Sequence, residues 1–301
     1  MEKRIIDSHA HVGDIFHENK NITFKTNIVK GDYEDPFIDC ERSGYTKPLF
    51  PKKIEDLINA GQYRCWEWTL ENLTAELDGH PDVQGIVMLP IWPNQTFEEY
   101  LAASKLEPRI IPFTTCVLDM PIEDMAKKLR SDIDKGAKGL KLHPTIQNVP
   151  LDDPRIDAAV KVFREAGLPV LTHCGANPYY TEESPWSKVT TPEYSDFKEV
   201  MGFCHRWKEV KIIVAHCCTE VELLSENVKG LPNVYTDTSM CSAANMRLGV
   251  RLMGEDRILF GTDAPFGSFK YSLMELEKAF ADEPEILDMV GYSNMAALMG
   301  M

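Results

Sequence analysis

Eight short runs rich in β-branched residues recur along the chain, and each closes on a polar residue or a turn. They are RIIDSHAHV (4–12), VQGIVMLP (83–90), RIIPFTTCVL (109–118), GAKGLKLHP (136–144), LPVLTHCG (168–175), VKIIVAHCC (210–218), NVYTDTS (233–239) and RILFGTDAP (257–265). Between most of them apolar residues return at helical spacing. MPIEDMAKKLRSDIDKG puts Ile122, Met125, Ala126, Leu129 and Ile133 on one stripe. DPRIDAAVKVFREAG opens with an acidic cap and a first-position proline and ends on Gly167. YSDFKEVMGFCHRWKEV and AANMRLGVRLMGE behave similarly. Strands alternating with helices predict a parallel sheet, and runs apolar on both faces predict one covered on both sides. An open doubly wound sheet usually carries a glycine-rich phosphate loop after its first strand, where this chain reads SHAHVGD. Eight βα units in 301 residues fit a closed (β/α)8 barrel. The expectation is one domain, 1–301.

The segment from Asp14 to Lys53 breaks the rhythm, being long, polar and rich in turn residues. Its position after the first strand predicts an insertion lying over the barrel mouth as a lid, residues 14–53. Ile15, Phe16, Ile22, Phe24, Ile28, Tyr33, Phe37, Ile38, Leu49 and Phe50 supply apolar anchors for an ordered one.

A net charge of −15 gives no basic face for nucleic acid or an anionic membrane. No apolar run approaches membrane-spanning length. The eight cysteines form no C-x-x-C pair, which points to reduced thiols in a cytoplasmic protein.

RIIDSHAHV taken alone reads either as a strand carrying His9 and His11 on one face or as a surface turn holding two histidines. The other strand ends decide between them, because in a barrel of this kind they converge on one catalytic face. The first strand brings His9 and His11, the fourth Lys141 and His143, the fifth His173, the sixth His216 and the eighth Asp263. Five of the eight histidines therefore fall at strand ends. Imidazole and carboxylate suit a borderline divalent metal, and a catalytic site keeps a position open for water. His9, His11, His173 and Asp263 are the expected ligands. His216 is expected either to bind a second metal or to orient water or a substrate oxygen.

HAH, KLH, LTHCG, VAHCC and FGTDAP, in that order, resemble the amidohydrolase superfamily. KLHP and the closing YSNMAALMG, with Asn294, resemble its amidohydrolase-related branch (amidohydrolase 2), which includes aminocarboxymuconate-semialdehyde decarboxylase, resorcylate-type decarboxylases and lactone hydrolases. The resemblance runs over nearly the whole chain and is weakest between residues 14 and 80. It implies metal ligation by His9, His11, His173 and Asp263, with Asp263 also taking a proton from the attacking water. It implies for His216 a second-metal ligand or a directing base. Lys141 matches a lysine that is carbamylated and bridges two metals in binuclear members; otherwise it stays cationic toward a substrate carboxylate or caps the barrel interior. His143 shares its strand face and could replace it. The branch commonly holds one ion, so one is expected over two: zinc first, with manganese, iron and cobalt as alternatives.

Trp92, after the second strand, and Tyr179, Tyr180 and Trp186, after the fifth, are expected to line the pocket. Arg64, Trp66 and Trp68 read as packing residues, Arg109 as structural, and His205 as a surface residue. The expected activity is hydrolysis, by a metal-activated water, of an amide or lactone of a small, carboxylated molecule. The alternative is metal-dependent non-oxidative decarboxylation. Relatives often pair, which implies a homodimer.

Overall fold

The computed structural model describes residues 3–17, 29–49 and 51–301. Nine parallel strands run through it: β1 (Ile5–Ala10), β2 (Val83–Met88), β3 (Ile110–Pro112), β4 (Thr114–Thr115), β5 (Leu140–Leu142), β6 (Val170–Thr172), β7 (Ile212–Val214), β8 (Val234–Asp237) and β9 (Ile258–Leu259). β3 and β4 are the two halves of the third barrel strand, parted at Phe113. The ladder runs β1-β2-β3 and then β4 through β9. Ala10 pairs with Ala264 to close the ring, and Phe113 N donates to Met88 O while Thr114 N donates to Gly139 O across the split. The structure is a (β/α)8 barrel, as expected.

Two apolar layers follow from the strand period of two. Ile6, Val87, Phe113, Leu171, Ile213 and Leu259 fill the barrel interior, with Met295, Leu298 and Met299 of the C-terminal helix Asn294–Met299 packed among them. Their strand neighbours Ile5, Ile86, Met88, Leu140, Val170, Ile212, Val214, Val234 and Ile258 belong to the layer shared with the helices. Asn294 fastens the terminal helix, its Nδ2 donating to the carbonyls of Glu255 and Ile258.

β1 departs from this alternation where it matters most. Asp7 pairs with Ile86 and Ala10 with Met88, so three steps of β1 span two of β2. One extra residue is a β-bulge, and it reverses which parity faces inward. Ile6 points into the barrel before it; Ala10 and Val12 join the outer layer after it. His9 and His11 are thereby turned into the barrel mouth.

The helices form where the periodicity placed them. Ile122–Asp134, Pro154–Ala166, Phe197–Arg206 and Ala243–Met253 all lie between strands. Asp153 caps the second of these by accepting from Arg155 N, and Gly167 ends it in the left-handed region. Ile122 is exposed in its first turn, whereas Asp132 is buried and accepts from Thr114 and Lys128. The buried stripe is therefore narrower than the sequence pattern, with a polar contact at its end. All eight cysteines are buried and unbridged.

Within the stretch after β1, Pro36–Arg42 is helical and Phe37 is buried, while Ile38 faces solvent at 38% exposure and is no anchor. Ile22, Phe24, Ile28 and Phe50 lie outside the described residues. Arg64, in the helix Ile54–Glu67, holds this stretch in place: its guanidinium donates to Asp35 and Glu41 and to the carbonyls of Pro265 and Phe266. It also lies over the Phe37 ring at 4.8 Å. Among the described residues, no helix is long and apolar enough to cross a membrane.

Candidate active site

The barrel mouth holds a cavity of about 240 Å³. His9, His11, His143, His173, His216 and Asp263 line its polar part, and Ile15, Phe16, Phe37, Leu49, Ile58 and Phe266 are among the apolar residues around it. The strand ends thus meet as the sequence pattern required. His216 and Asp263 both sit at positive φ (67° and 57°), a left-handed backbone unusual for such residues, which accompanies their placement at sharp exits from the last turns of the barrel.

Proton positions on the rings follow from what each ring meets. Asp237, fully buried at the end of β8, is an acceptor on every side. His9 Nδ1 approaches its Oδ2 at 2.8 Å, and the backbone N–H groups of His216 and Ser239 reach Oδ1 at 3.1 Å each. The Ser239 hydroxyl also donates to Oδ1. Burial alone would push the Asp237 carboxyl up, but His9, His216 and the Ser239 hydroxyl hold it well below the usual carboxylate range. His9 therefore carries its proton on Nδ1 and leaves Nε2 bare. His11 does the same, since its Nδ1 faces the carbonyl of Leu89 at 2.9 Å.

The chain of partners continues through the other rings. The Ser239 proton is committed to Asp237, so Ser239 Oγ accepts from His216 Nδ1 at 2.7 Å and His216 Nε2 is bare. His173 Nε2 meets the carbonyl of Gly175 at 3.2 Å and the Tyr179 hydroxyl at 2.8 Å, so it carries the ring proton, and His173 Nδ1 is left bare, 3.1 Å from His216 Nε2. Burial lowers the basicity of His9, His11, His173 and His216, the last to about 3, so all four are neutral near pH 7.

The bare nitrogens converge on Asp263. Its Oδ1 lies 3.3 Å from His9 Nε2 and 3.6 Å from His11 Nε2. These three ligand atoms lie within 4.8 Å of one another. Lone pairs so arranged suit a cation. The trio fits a divalent metal on that ground. His9, His216 and Asp237 also fall within 4.8 Å, but their facing atoms are already joined through protons. His173 stands one ring further out, against His216. Lys141 is fully buried below, its Nζ 3.4 Å from His9 Nε2; burial brings it down to about 8, and it does not line the cavity. Burial also raises the Asp263 carboxyl well above the usual range, against the pull of Lys141.

Room for this packing depends on Gly261. A Cβ there would come within 3.1 Å of Asp237 Cβ and Ser8 Oγ and 3.2 Å of His9 Cβ. Only a residue without a side chain lets the last strand pass so close to both.

Four residues were expected on the pocket wall, and one is found there. Tyr179 lines the histidine cavity, whereas Trp92, Tyr180 and Trp186 line a neighbouring cleft. The Tyr180 hydroxyl is spent on the carbonyl of Phe16 and its ring stacks on Trp186, which holds both at that cleft. Asp237 and Ser239 escaped sequence reasoning. Their signal was a polar pair two residues apart at the end of the seventh run, the spacing shown by His9 and His11. His205 is exposed and its Nε2 meets Asn227 O, and Arg109 is engaged with Glu107 and Asp78.

A sequence profile described as amidohydrolase matches residues 6–300. No protein of curated function matches the sequence. Among solved structures, a TIM-barrel protein of uncharacterised function from Bordetella bronchiseptica is 16% identical, with a TM-score of 0.66 over 99% of this chain and 98% of that one. A 5-carboxyvanillate decarboxylase from Novosphingobium aromaticivorans with bound manganese is 14% identical, with a TM-score of 0.66 over 99% and 97%. A probable 2-pyrone-4,6-dicarboxylic acid hydrolase from Acinetobacter baumannii is 12% identical, with a TM-score of 0.60 over the whole of both chains. Profile, barrel and ordered strand-end motifs agree: the chain belongs to the amidohydrolase family, in its amidohydrolase 2 branch.

Proposed function

We propose that this family member hydrolyses an amide or lactone of a small, carboxylated molecule. The observation that carries the reading is the meeting of the Asp263 carboxyl with two imidazoles whose Nε2 lone pairs are bare. His9, His11 and Asp263, with His173 beside them, suit one divalent ion, zinc first and manganese, iron or cobalt as alternatives. Such an ion supplies, when bound, Lewis-acid polarisation of a carbonyl and a water acidic enough to ionise near neutral pH.

The chain's own groups divide the remaining work. Asp263 takes the proton of the attacking water and returns it to the leaving group. His216, held by Ser239 and Asp237, presents a bare Nε2 that orients water or a substrate oxygen. Lys141 offsets the charge of Asp263 and Asp237 from below. The described parts of the stretch after β1, 14–17, 29–49 and 51–53, act as a lid, a role supported by Phe16, Phe37 and Leu49 on the cavity wall.

The apolar surround also favours a second reading, decarboxylation, because a carboxylate stripped of water is a poor ground state. Solved decarboxylases share the barrel. A panel of lactones, N-acyl amino acids and hydroxybenzoates, assayed with the zinc- and manganese-loaded protein, separates the two. Release of acid or amine without carbon dioxide is the expected result; carbon dioxide release alone would sink the hydrolytic reading.

A further inference from the structure

His143 lines the same cavity, 3% exposed, yet its surroundings are the reverse of those behind His9 and His11. Those two rings back onto acceptors. His143 Nδ1 instead receives a donor, the backbone N–H of Ile146 at 3.4 Å. A ring that accepts through Nδ1 must hold its proton on Nε2. Ligation of a metal through Nε2 would move that proton to Nδ1, where it would face the Ile146 N–H head-on. The geometry therefore sets His143 apart from the ligands.

The ring is also firmly held. It stacks on His173 with centroids 4.1 Å apart and planes 6° from parallel. Its backbone N–H donates to Gln147 Oε1 at 2.7 Å, and Gln147 Nε2 donates to Thr115. Among the described residues, no group hydrogen-bonds to its Nε2.

We propose that His143 is a catalytic residue, a neutral imidazole whose Nε2–H hydrogen-bonds the substrate oxygen that gains negative charge as the carbonyl is attacked. The donor is preorganised, so it needs no reorientation as charge develops, and it is shielded from bulk water. The identity of the oxygen rests on the hydrolytic reading above; the tautomer does not.

Histidine-selective 15N labelling of the zinc-loaded protein tests both parts. Long-range 15N–1H correlation at neutral pH, assigned by the signals lost in His143→Gln, should show His143 protonated on Nε2 and bare on Nδ1. Benzylphosphonate, a tetrahedral oxyanion, should then shift that Nε2–H signal. Its affinity by calorimetry should fall about ten- to hundredfold in His143→Phe, which keeps the ring stack, and by less than about threefold in His143→Gln, which keeps a donor. An Nδ1–H tautomer overturns the donor and leaves the hydrolytic reading standing, as does full affinity in His143→Phe. No binding of the phosphonate by the wild type overturns the hydrolytic reading, and with it the role given to His143.

Discussion

Asp237 accepts the Nδ1 proton of His9 at 2.8 Å, with both side chains fully shielded from solvent. The proton assignments of His9 and, through Ser239, of His216 trace back to this acceptor-only carboxylate. Asp237→Asn should therefore weaken metal binding more than it disturbs the fold. An amide presents N–H to the donors of His216 and Ser239 and no longer dictates the His9 tautomer. A loss of about 10- to 100-fold in zinc affinity is expected, measured by competition with a chromophoric chelator. Unchanged affinity would show that Asp237 does not position His9.

His9→Ala should strip metal and turnover together, read by elemental analysis of the purified variant. His173→Ala should do the same if His173 completes the ligand set. Full metal content in either would remove that residue from the ligands. Asp263→Asn should abolish turnover, and near-normal rates would take Asp263 out of the proton path.

Gly261→Ala pushes a methyl group against His9, Asp237 and Ser8, at 3.1–3.2 Å, so that these neighbours must give way. A destabilisation of about 1–3 kcal/mol is expected from overpacking, seen as a lowered midpoint in thermal unfolding. The same variant should bind metal more weakly, because His9 is one of the atoms displaced. A wild-type midpoint would mean that the two strands can part without cost.

Arg64→Met leaves Glu41 and Asp35 without their partner. Glu41 is largely buried, and burial already raises its carboxyl even beside Arg64. A raised folded-state value means that the protonated form is the better tolerated one, so stability is lost as pH rises through it. Without Arg64 the rise should be larger. The variant should lose about 3 kcal/mol near neutral pH and less near pH 4.5, by chemical denaturation at both. An equal loss at both would show that Glu41 is not left charged and stranded.

The barrel was legible because eight β-branched runs and their helical spacers carry the two periods that define it. The histidines at the barrel mouth were legible because strand ends in a barrel share one face. Direction around that face was not. Trp92 and Trp186 follow strands, as Tyr179 does, yet they line the adjoining cleft, and Trp186 is held there by the Tyr180 ring rather than by spacing. Asp237 was missed because an aspartate closing a strand is common, and only the distant His9 gives it meaning. His143 was visible as a histidine but not as a donor, since its tautomer depends on a backbone N–H three residues on.

The single supernumerary residue in β1 makes the chemistry of this barrel a matter of reading frame. Upstream of it the strand is read in one phase, with Ile6 inside; downstream it is read in the other, with His9 and His11 inside. Were the same residues paired with β2 without that bulge, the interior layer would stay intact while Ser8 and Ala10, not His9 and His11, came to the mouth. A fold can thus lose its activity by miscounting, with no ligand replaced.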